Sequence, residues 1–491
     1  MAETVFPAAA SSLAAVPAHH AALRPGATAL RFAGRPITYG ELDALARAFA
    51  WRAAREWGVR AGDRVAWLGA NHPAQLALLF GLARLGAILL PLNFRLAPAE
   101  WDGLVRDCTP RVLVHDGEWA AQARDLAQRH GLALHGAEEV LAGGEAMDDD
   151  HGAAAAAALL VYTSGTTGGP KAAVHTQGQL LANMRIAAAA QAMTPQDRVL
   201  TVLPLFHVGG LCIQTLPALG AGAEVTLHAR FQPDDWFASL RDVRPTLTLL
   251  VPATMKALQE HPAWADADLS CLRAVWAGSS LLPAPLVQAF HARGVPVCNV
   301  YGSTETGPFS IALPPEHAMD HVGSCGWPAP GVEAKLGERG EVLLRAPNIV
   351  ERYWPDTPAR DADGWFHTGD LAEVDADGSW RIVGRAKELI ISGGENIHPA
   401  EIEAALAAHP AVLECAAFGL PDAQWGEAVS VAVVLKPDAA ADEAALREHL
   451  AQRIARYKLP RRWFWPASLP RTALGKVQRQ SLARGAATGS L

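Results

Sequence analysis

The 491-residue sequence predicts an α/β fold: mostly parallel sheets, then a small antiparallel sheet or barrel, then a small α+β domain. Three observations lead there. Short β-rich runs alternate with Ala/Leu-rich helical stretches through most of the chain. After about Val322 the texture turns to β alternation with turn signals. Beyond Arg385 helices and strands mix again over about a hundred residues, the size of a small domain.

The elements follow in order. Arg64-Val-Ala-Trp-Leu68 reads as a strand and residues 73–85 as the helix after it. Ala87-Ile-Leu-Leu-Pro91 is a short buried strand, and another helix begins near Pro98. Residues 112–115, 224–227, 246–251 and 297–300 repeat the strand pattern. Strands alternating with helices imply βαβ units and parallel sheets. Residues 340–345, 371–374 and 380–383 then alternate, the last two around Asp377-Gly378, a strong hairpin signal. Residues 399–408 read as a helix with Pro at its start, 429–435 as a strand, 441–454 as a helix, and the remainder as an irregular tail. The domain boundary is expected near residues 384–387.

Composition excludes several functions. Lys plus Arg is 42 and Asp plus Glu is 50, a formal charge of −8. Nucleic acid rewards clustered positive charge, so no nucleic-acid partner is expected. The six cysteines lie far apart without a CxxC pair, which argues against a zinc site or a disulfide framework. They read as reduced, mostly buried thiols of a cytoplasmic protein. The N-terminus lacks a basic segment followed by an apolar one, so no signal peptide is expected. No run reaches the roughly 18 apolar residues of a membrane helix, so no integral membrane segment is expected. Gly220-Ala-Gly222 has no third glycine and reads as a tight turn, and His261, His291 and His321 lack metal-ligand spacing.

The strongest chemical feature is Val161-Tyr-Thr-Ser-Gly-Thr-Thr-Gly-Gly-Pro-Lys171, which follows an apolar strand-like run. Its glycines let backbone N–H groups approach an anion closely, its hydroxyls add donors, and Lys171 adds charge. It is not a Walker A loop, and a Gly/Thr-rich surface loop would have a similar composition. Thr163-Ser-Gly-Thr-Thr-Gly-Gly-Pro-Lys171 resembles the phosphate loop of the adenylate-forming (AMP-binding) superfamily. The resemblance recurs in order at Tyr301-Gly-Ser-Thr-Glu-Thr306, Gly364-Trp-Phe-His-Thr-Gly-Asp370, Gly384-Arg385 with Lys387, Ser392-Gly-Gly-Glu-Asn396 and Pro470-Arg-Thr-Ala-Leu-Gly-Lys476. It covers essentially the whole chain and points to the acyl/aryl-CoA synthetase branch.

The resemblance implies a large N-terminal domain, 1–384, of two doubly wound β/α subdomains plus a small antiparallel barrel. A hinge at 385–387 and a small mobile α+β domain at 388–491 follow. It implies an ATP-dependent, AMP-forming acid–thiol ligase using ATP, Mg2+ and coenzyme A. Glu305 would be the metal ligand and Thr304 would hydrogen-bond the α-phosphate. Thr163, Ser164, Gly165, Thr166, Thr167, Gly168 and Lys171 would hold ATP phosphates, and Tyr301 would pack beside adenine, with a core tyrosine as the rival role. Asp370 would accept the ribose hydroxyls, since a carboxylate suits a diol, and Arg385 would reach the same ribose or its phosphates. Lys476 would be the charge bridging carboxylate and α-phosphate, and Lys387 the hinge pivot or an exposed helical lysine. Ser392, Gly393, Gly394 and Glu395 would line a pantetheine tunnel, with Arg95 on the CoA phosphates and Trp425 on the CoA face.

In Pro204-Leu-Phe-His-Val-Gly-Gly210, His207 stands where related CoA ligases have an acyl-site histidine and amino-acid-activating relatives an aspartate. His207 is therefore counted with the catalytic set, and with Val208, Trp276, Ala277, Gly278 and Val300 in the acyl pocket. Trp276 among small residues favours an aryl or phenylpropenoic acid. The alternatives are a medium-chain fatty acyl-CoA synthetase and an adenylating enzyme that loads a separate carrier protein. Two positions depart from the family's pattern: Ala172 adds one methyl where glycine is commoner, and Ser279-Ser280 replaces a Gly-Ala type pair, a change that would tighten or polarise the acyl slot. A homodimer is an assembly the sequence leaves open.

Overall fold

The computed structural model describes residues 6–7, 10–163, 170–278, 282–392, 395–422, 424–437, 439–472 and 475–491. The chain divides into two compact units: Met1–Ala334 with Leu344–Phe366, and Lys335–Leu343 with His367–Leu491. The boundary expected near 384–387 falls inside the second unit.

In the first unit, the Leu/Ile/Val runs form strands buried on both faces. Ile88–Leu92, Leu247–Leu250 and Ala274–Gly278 are buried at every position. Such continuous apolar runs mark parallel strands covered on both sides. Among the described residues they build two sheets. One has eight strands, centred on the parallel set Arg64–Leu68, Ile88–Leu92, Val112–His115 and Ala133–Gly136. The other has nine, with Val297–Tyr301, Ala274–Gly278, Leu247–Leu250, Arg198–Thr201, Glu224–Leu227 and Thr28–Phe32 parallel.

Both sheets reverse their winding. After Arg198–Thr201 the chain adds Glu224–Leu227 on one side and Leu247–Leu250 on the other. After Arg64–Leu68 it adds Ile88–Leu92 and then Val112–His115 on the opposite edge. Such switch points open crevices at the carboxyl ends of strands, where ligands bind. His207 follows one of these strands and Arg95 lies beside the other.

In the second unit, Phe366–Val374 and Trp380–Arg385 pair antiparallel, as the Asp-Gly signal predicts, with Gly378 at φ 83°. They extend a four-stranded sheet with Glu333–Leu336 and Glu341–Arg345. The last domain is built on Val412–Asp422 and Gly426–Leu435. Alternation along the latter points Val429, Val431 and Val433 at one core and Ala432 and Val434 at another. Helices Pro399–Ala407 and Glu443–Ala451 supply the first core. The expected irregular tail is a correction: it contains the short strand Arg462–Phe464 and the helix Arg479–Thr488. A single buried residue, Leu482, anchors that helix on the second core, so its sequence shows no clear apolar stripe.

Four of the six cysteines are buried, as the sequence suggests. Gly222 is a left-handed helix cap before Glu224–Leu227, the tight turn expected there. Among the described residues no helix is long and apolar enough to cross a membrane.

Candidate active site

Two antiparallel strands, Ala157–Thr163 and Lys171–Thr176, hold the ends of the phosphate-type loop, with Thr163 opposite Lys171. Thr163 Oγ1 donates to the Lys171 carbonyl at 3.3 Å. Ser164, Gly165, Thr166, Thr167 and Gly168 lie outside the described residues. The helix Gln177–Ala190 starts immediately after, fixed by a Thr176/Gln179 capping box.

The motif 301–306 leaves the end of strand Val297–Tyr301 and closes in the turn Thr304–Thr306. Gly302 is required here, because a Cβ would overlap the Pro308 carbonyl. Thr304 is buried, while Glu305 and Tyr301 are half-buried. The Tyr353 phenol donates to Glu305 Oε1 at 3.0 Å, and the Tyr353 ring lies 5.6 Å from Lys171 Nζ. Burial first, then the Glu305 charge, raises the Tyr353 phenol above its ordinary value, so it stays a neutral donor. Tyr353 therefore brings Lys171 and Glu305, 134 residues apart, to one place. Among the described residues no group of three His, Cys, Asp or Glu could cage a metal ion. A carboxylate with one oxygen held by a phenol retains acceptor capacity and fits a Mg2+ that also takes nucleotide phosphate oxygens.

His207 caps the short helix Val208–Gly210, its Nδ1 accepting from Gly209 N at 3.0 Å. An accepting Nδ1 belongs to the neutral tautomer that carries its proton on Nε2. A Cβ at Gly210 would run into the Pro204 carbonyl, so the loop folds tightly back on the helix start. Asn71 locks this loop across the two sheets. Its amide donates to Leu203 O and His228 O at 3.0 Å each and accepts from Leu205 N at 2.7 Å.

Trp276, Ala277, Gly278 and Val300 are all buried. Strand alternation sets Trp276 and Gly278 on one face and Ala277 on the other, so the Ala277 methyl cannot share a wall with the indole. Trp276 packs against Phe309 at 5.7 Å, and its indole Nε1 has no partner. Ser279 and Ser280 lie outside the described residues. Arg95 and Arg230 lie over the Phe94 ring at 5.7 and 5.6 Å, and Phe94 packs edge-on against Phe206, next to His207. The two switch-point loops thus meet through Phe94.

The second unit carries the other half of the predicted set. Asp370 and Arg385 face each other across the hairpin, with Arg385 Nε donating to Asp370 Oδ1 at 2.9 Å. Lys387 is exposed in the turn Ala386–Glu388. Ser392 pairs with Glu395 across one hairpin and with Gly426 on the neighbouring strand, so it joins the Trp425-Gly-Glu427 segment. Arg461 lies 3.9 Å over the Trp425 ring. Gly393 and Gly394 lie outside the described residues. Lys476 is exposed at the end of a turn in which Thr472 N donates to Lys476 O at 2.8 Å.

Residues 17–354 match the model of the AMP-binding enzyme family, and residues 401–476 match its C-terminal domain. The chain belongs to the AMP-binding enzyme family. It is 43% identical to the indoleacetate–CoA ligase of Aromatoleum aromaticum over 94% of this chain and 96% of that one. It is 38% identical to a feruloyl-CoA synthase of an Amycolatopsis species, covering 95% and 98%. The anthranilate CoA ligase AuaEII, solved with anthranoyl-AMP, superposes with TM-score 0.89 at 27% identity, covering 98% of each chain. This AMP-binding enzyme is an acid–CoA ligase of the adenylate-forming acyl/aryl branch, ATP-dependent and AMP-forming. Enzymes of that branch use ATP, Mg2+ and coenzyme A.

Sequence reasoning missed Tyr353, Asn71, Arg230 and Arg461. Asn71, followed by His72-Pro73, has no charge or catalytic spacing that marks it. The others carry no local signal, because each acts through a partner distant in sequence.

Proposed function

We propose that this ligase activates an aromatic carboxylic acid of the arylacetic or phenylpropenoic type. The observation that carries the choice is the buried Trp276–Phe309 pair beside Gly278 and Val300. A planar ring gains area and ring contacts against such a wall, where a flexible alkyl chain would lose rotamer freedom. No carboxylate stands in residues 204–210 to hold an ammonium, which favours an uncharged acyl group.

The chemistry divides between the two units. A substrate carboxylate oxygen attacks the α-phosphorus of ATP and pyrophosphate leaves. The transition state is crowded with negative charge, so cations and positioned donors dominate. Lys171, Thr163 and the loop hydroxyls bind phosphates, Thr304 donates to the α-phosphate, and Tyr301 flanks the adenine. Glu305 would hold a Mg2+, which when bound would supply charge neutralisation on the phosphates. Asp370 takes the ribose hydroxyls with Arg385 beside it, and Lys476 bridges carboxylate and α-phosphate. His207 presents its Nε2 proton toward the carboxylate. Rotation at residues 385–387, with Lys387 as pivot, then replaces Lys476 by the face bearing Ser392, Glu395 and Trp425. The CoA thiolate attacks the acyl carbonyl and AMP leaves, with Arg95 on the CoA phosphates. We place the enzyme in the cytoplasm, where its six free thiols stay reduced.

Pyrophosphate release with CoA present tests this across benzoate, hydroxycinnamates, indole-3-acetate, C4–C12 acids and amino acids. Aromatic acids should exceed the best alkyl acid in kcat/KM by about 10-fold or more, the scale set by pocket fit. A response confined to amino acids, or faster with alkyl acids, would sink the assignment. Thioester formation on a carrier protein but not on free CoA would sink the acceptor.

A further inference from the structure

Tyr353 belongs to none of the chemical motifs, yet it touches two of them. Its phenol donates to Glu305 and its ring lies under the Lys171 ammonium. Backbone contacts fix it there. Tyr353 pairs antiparallel with Ala173, and Trp354 N donates to Ala172 O at 2.8 Å. Val350 N donates to the Glu305 carbonyl at 2.8 Å. Asn348, fully buried, donates to Thr306 O at 2.7 Å and Phe309 O at 3.0 Å. Residues 348–354 therefore strap the Thr304–Thr306 turn to the strand Lys171–Thr176. Tyr353 is the side chain on this strap that meets both charged groups.

We propose that Tyr353 is a positioning residue for the adenylation half-reaction, holding Glu305 oriented for Mg2+ and keeping Lys171 from pairing with it. The inference rests on the reading of Glu305 as the metal ligand. A phenol suits the task chemically. It donates to a carboxylate without cancelling its charge, which a lysine or arginine would do. Its ring attracts the ammonium through the π face and stands between two opposite charges. Without that spacer, the empty site would relax to a Lys171–Glu305 ion pair, and MgATP would have to break the pair on arrival.

The test compares Tyr353→Phe and Tyr353→Leu in the full chain. Calorimetry measures binding of ATP with and without Mg2+. Pyrophosphate–ATP exchange measures adenylation, and thioester formation from supplied acyl-adenylate measures transfer. Tyr353→Phe should weaken MgATP binding about 10-fold, the scale of one hydrogen bond to a charged group. It should raise the Mg2+ concentration needed for exchange, while metal-free ATP binding and acyl transfer change less than about twofold. Tyr353→Leu should also weaken metal-free ATP binding, because Lys171 loses its ring. Equal weakening by Tyr353→Phe with and without Mg2+, or equal loss of both half-reactions with a lowered melting temperature, would reduce Tyr353 to a structural role. Unaltered MgATP binding in Tyr353→Phe would also overturn the proposal. Wild-type MgATP binding without exchange for any acid would overturn the ligase reading instead, and the Mg2+-dependent binding difference would still decide this one.

Discussion

Lys476 is held by its turn through backbone bonds, Thr472 Oγ1 accepting from Lys476 N at 3.2 Å and Lys476 O from Thr472 N at 2.8 Å. Truncation at Cβ removes the ammonium and leaves those bonds intact. Lys476→Ala should therefore slow acyl-adenylate formation by about 10²- to 10³-fold, the scale of one lost transition-state contact. Thioester formation from supplied acyl-adenylate should stay near wild type. Single-turnover assays of the two steps measure this, and equal losses in both would count against the bridging role. At the same scale, part of the motif 301–306 is legible because its local chain demands it: a Cβ at Gly302 would overlap the Pro308 carbonyl. Tyr353 is not legible, because its partner Glu305 lies 48 residues away and its strand is two residues long.

Among the elements, the helix Arg479–Thr488 departs most from expectation. Its anchor is ionic as well as apolar. The Arg479 guanidinium forks onto both oxygens of Glu403 at 2.8 and 2.9 Å and reaches Glu388 at 2.8 Å. Desolvation acts to lower its pKa, and Glu403 and Glu388 more than offset that, so the net direction is upward. One side chain thus ties the last helix to Pro399–Ala407 and to the turn Ala386–Glu388 that carries Lys387. Arg479→Leu leaves two carboxylates facing each other and should cost about 2 kcal/mol, between exposed and fully buried pairs. Chemical denaturation of the variant measures that cost. A double change with Glu403→Gln should recover part of it, whereas strict additivity would mean the pair is not coupled.

Across the whole molecule, two imidazoles set an acid limit. His175 is fully buried on the strand after the phosphate-type loop, and burial drives its pKa down to about 4. His20 also falls to about 4, through burial first, with the Gly220 carbonyl hydrogen bond acting the other way. Both folded values lie below the unfolded value of 6.5, so the unfolded chain binds more protons between those limits. Stability is therefore complete above about pH 6.5 and is lost as pH falls toward about 4. Each histidine contributes a slope of up to ~1.4 kcal/mol per pH unit in that window. Urea unfolding at pH 7.5, 6 and 5 should show the decline, and His175→Leu should flatten it. An unchanged slope in that variant would remove His175 from the account.

The sequence by itself determined the α/β class, the hairpin at Asp377-Gly378 and the family, because these depend on local period, turn chemistry and motif letters. It also named Lys171, Glu305, Asp370, Arg385 and Lys476, the charged groups the proposed chemistry needs. Tertiary structure alone decided how such groups are held: Asn71 across the two switch-point loops, Phe94 against Phe206, Arg479 on Glu403 and Glu388, and Tyr353 between Lys171 and Glu305. It also assigned the tail, where one buried leucine replaces an amphipathic stripe. The physical reason is common to these cases. A hydrogen bond or ring contact between residues far apart in the chain is created by packing, and no short-range pattern records it.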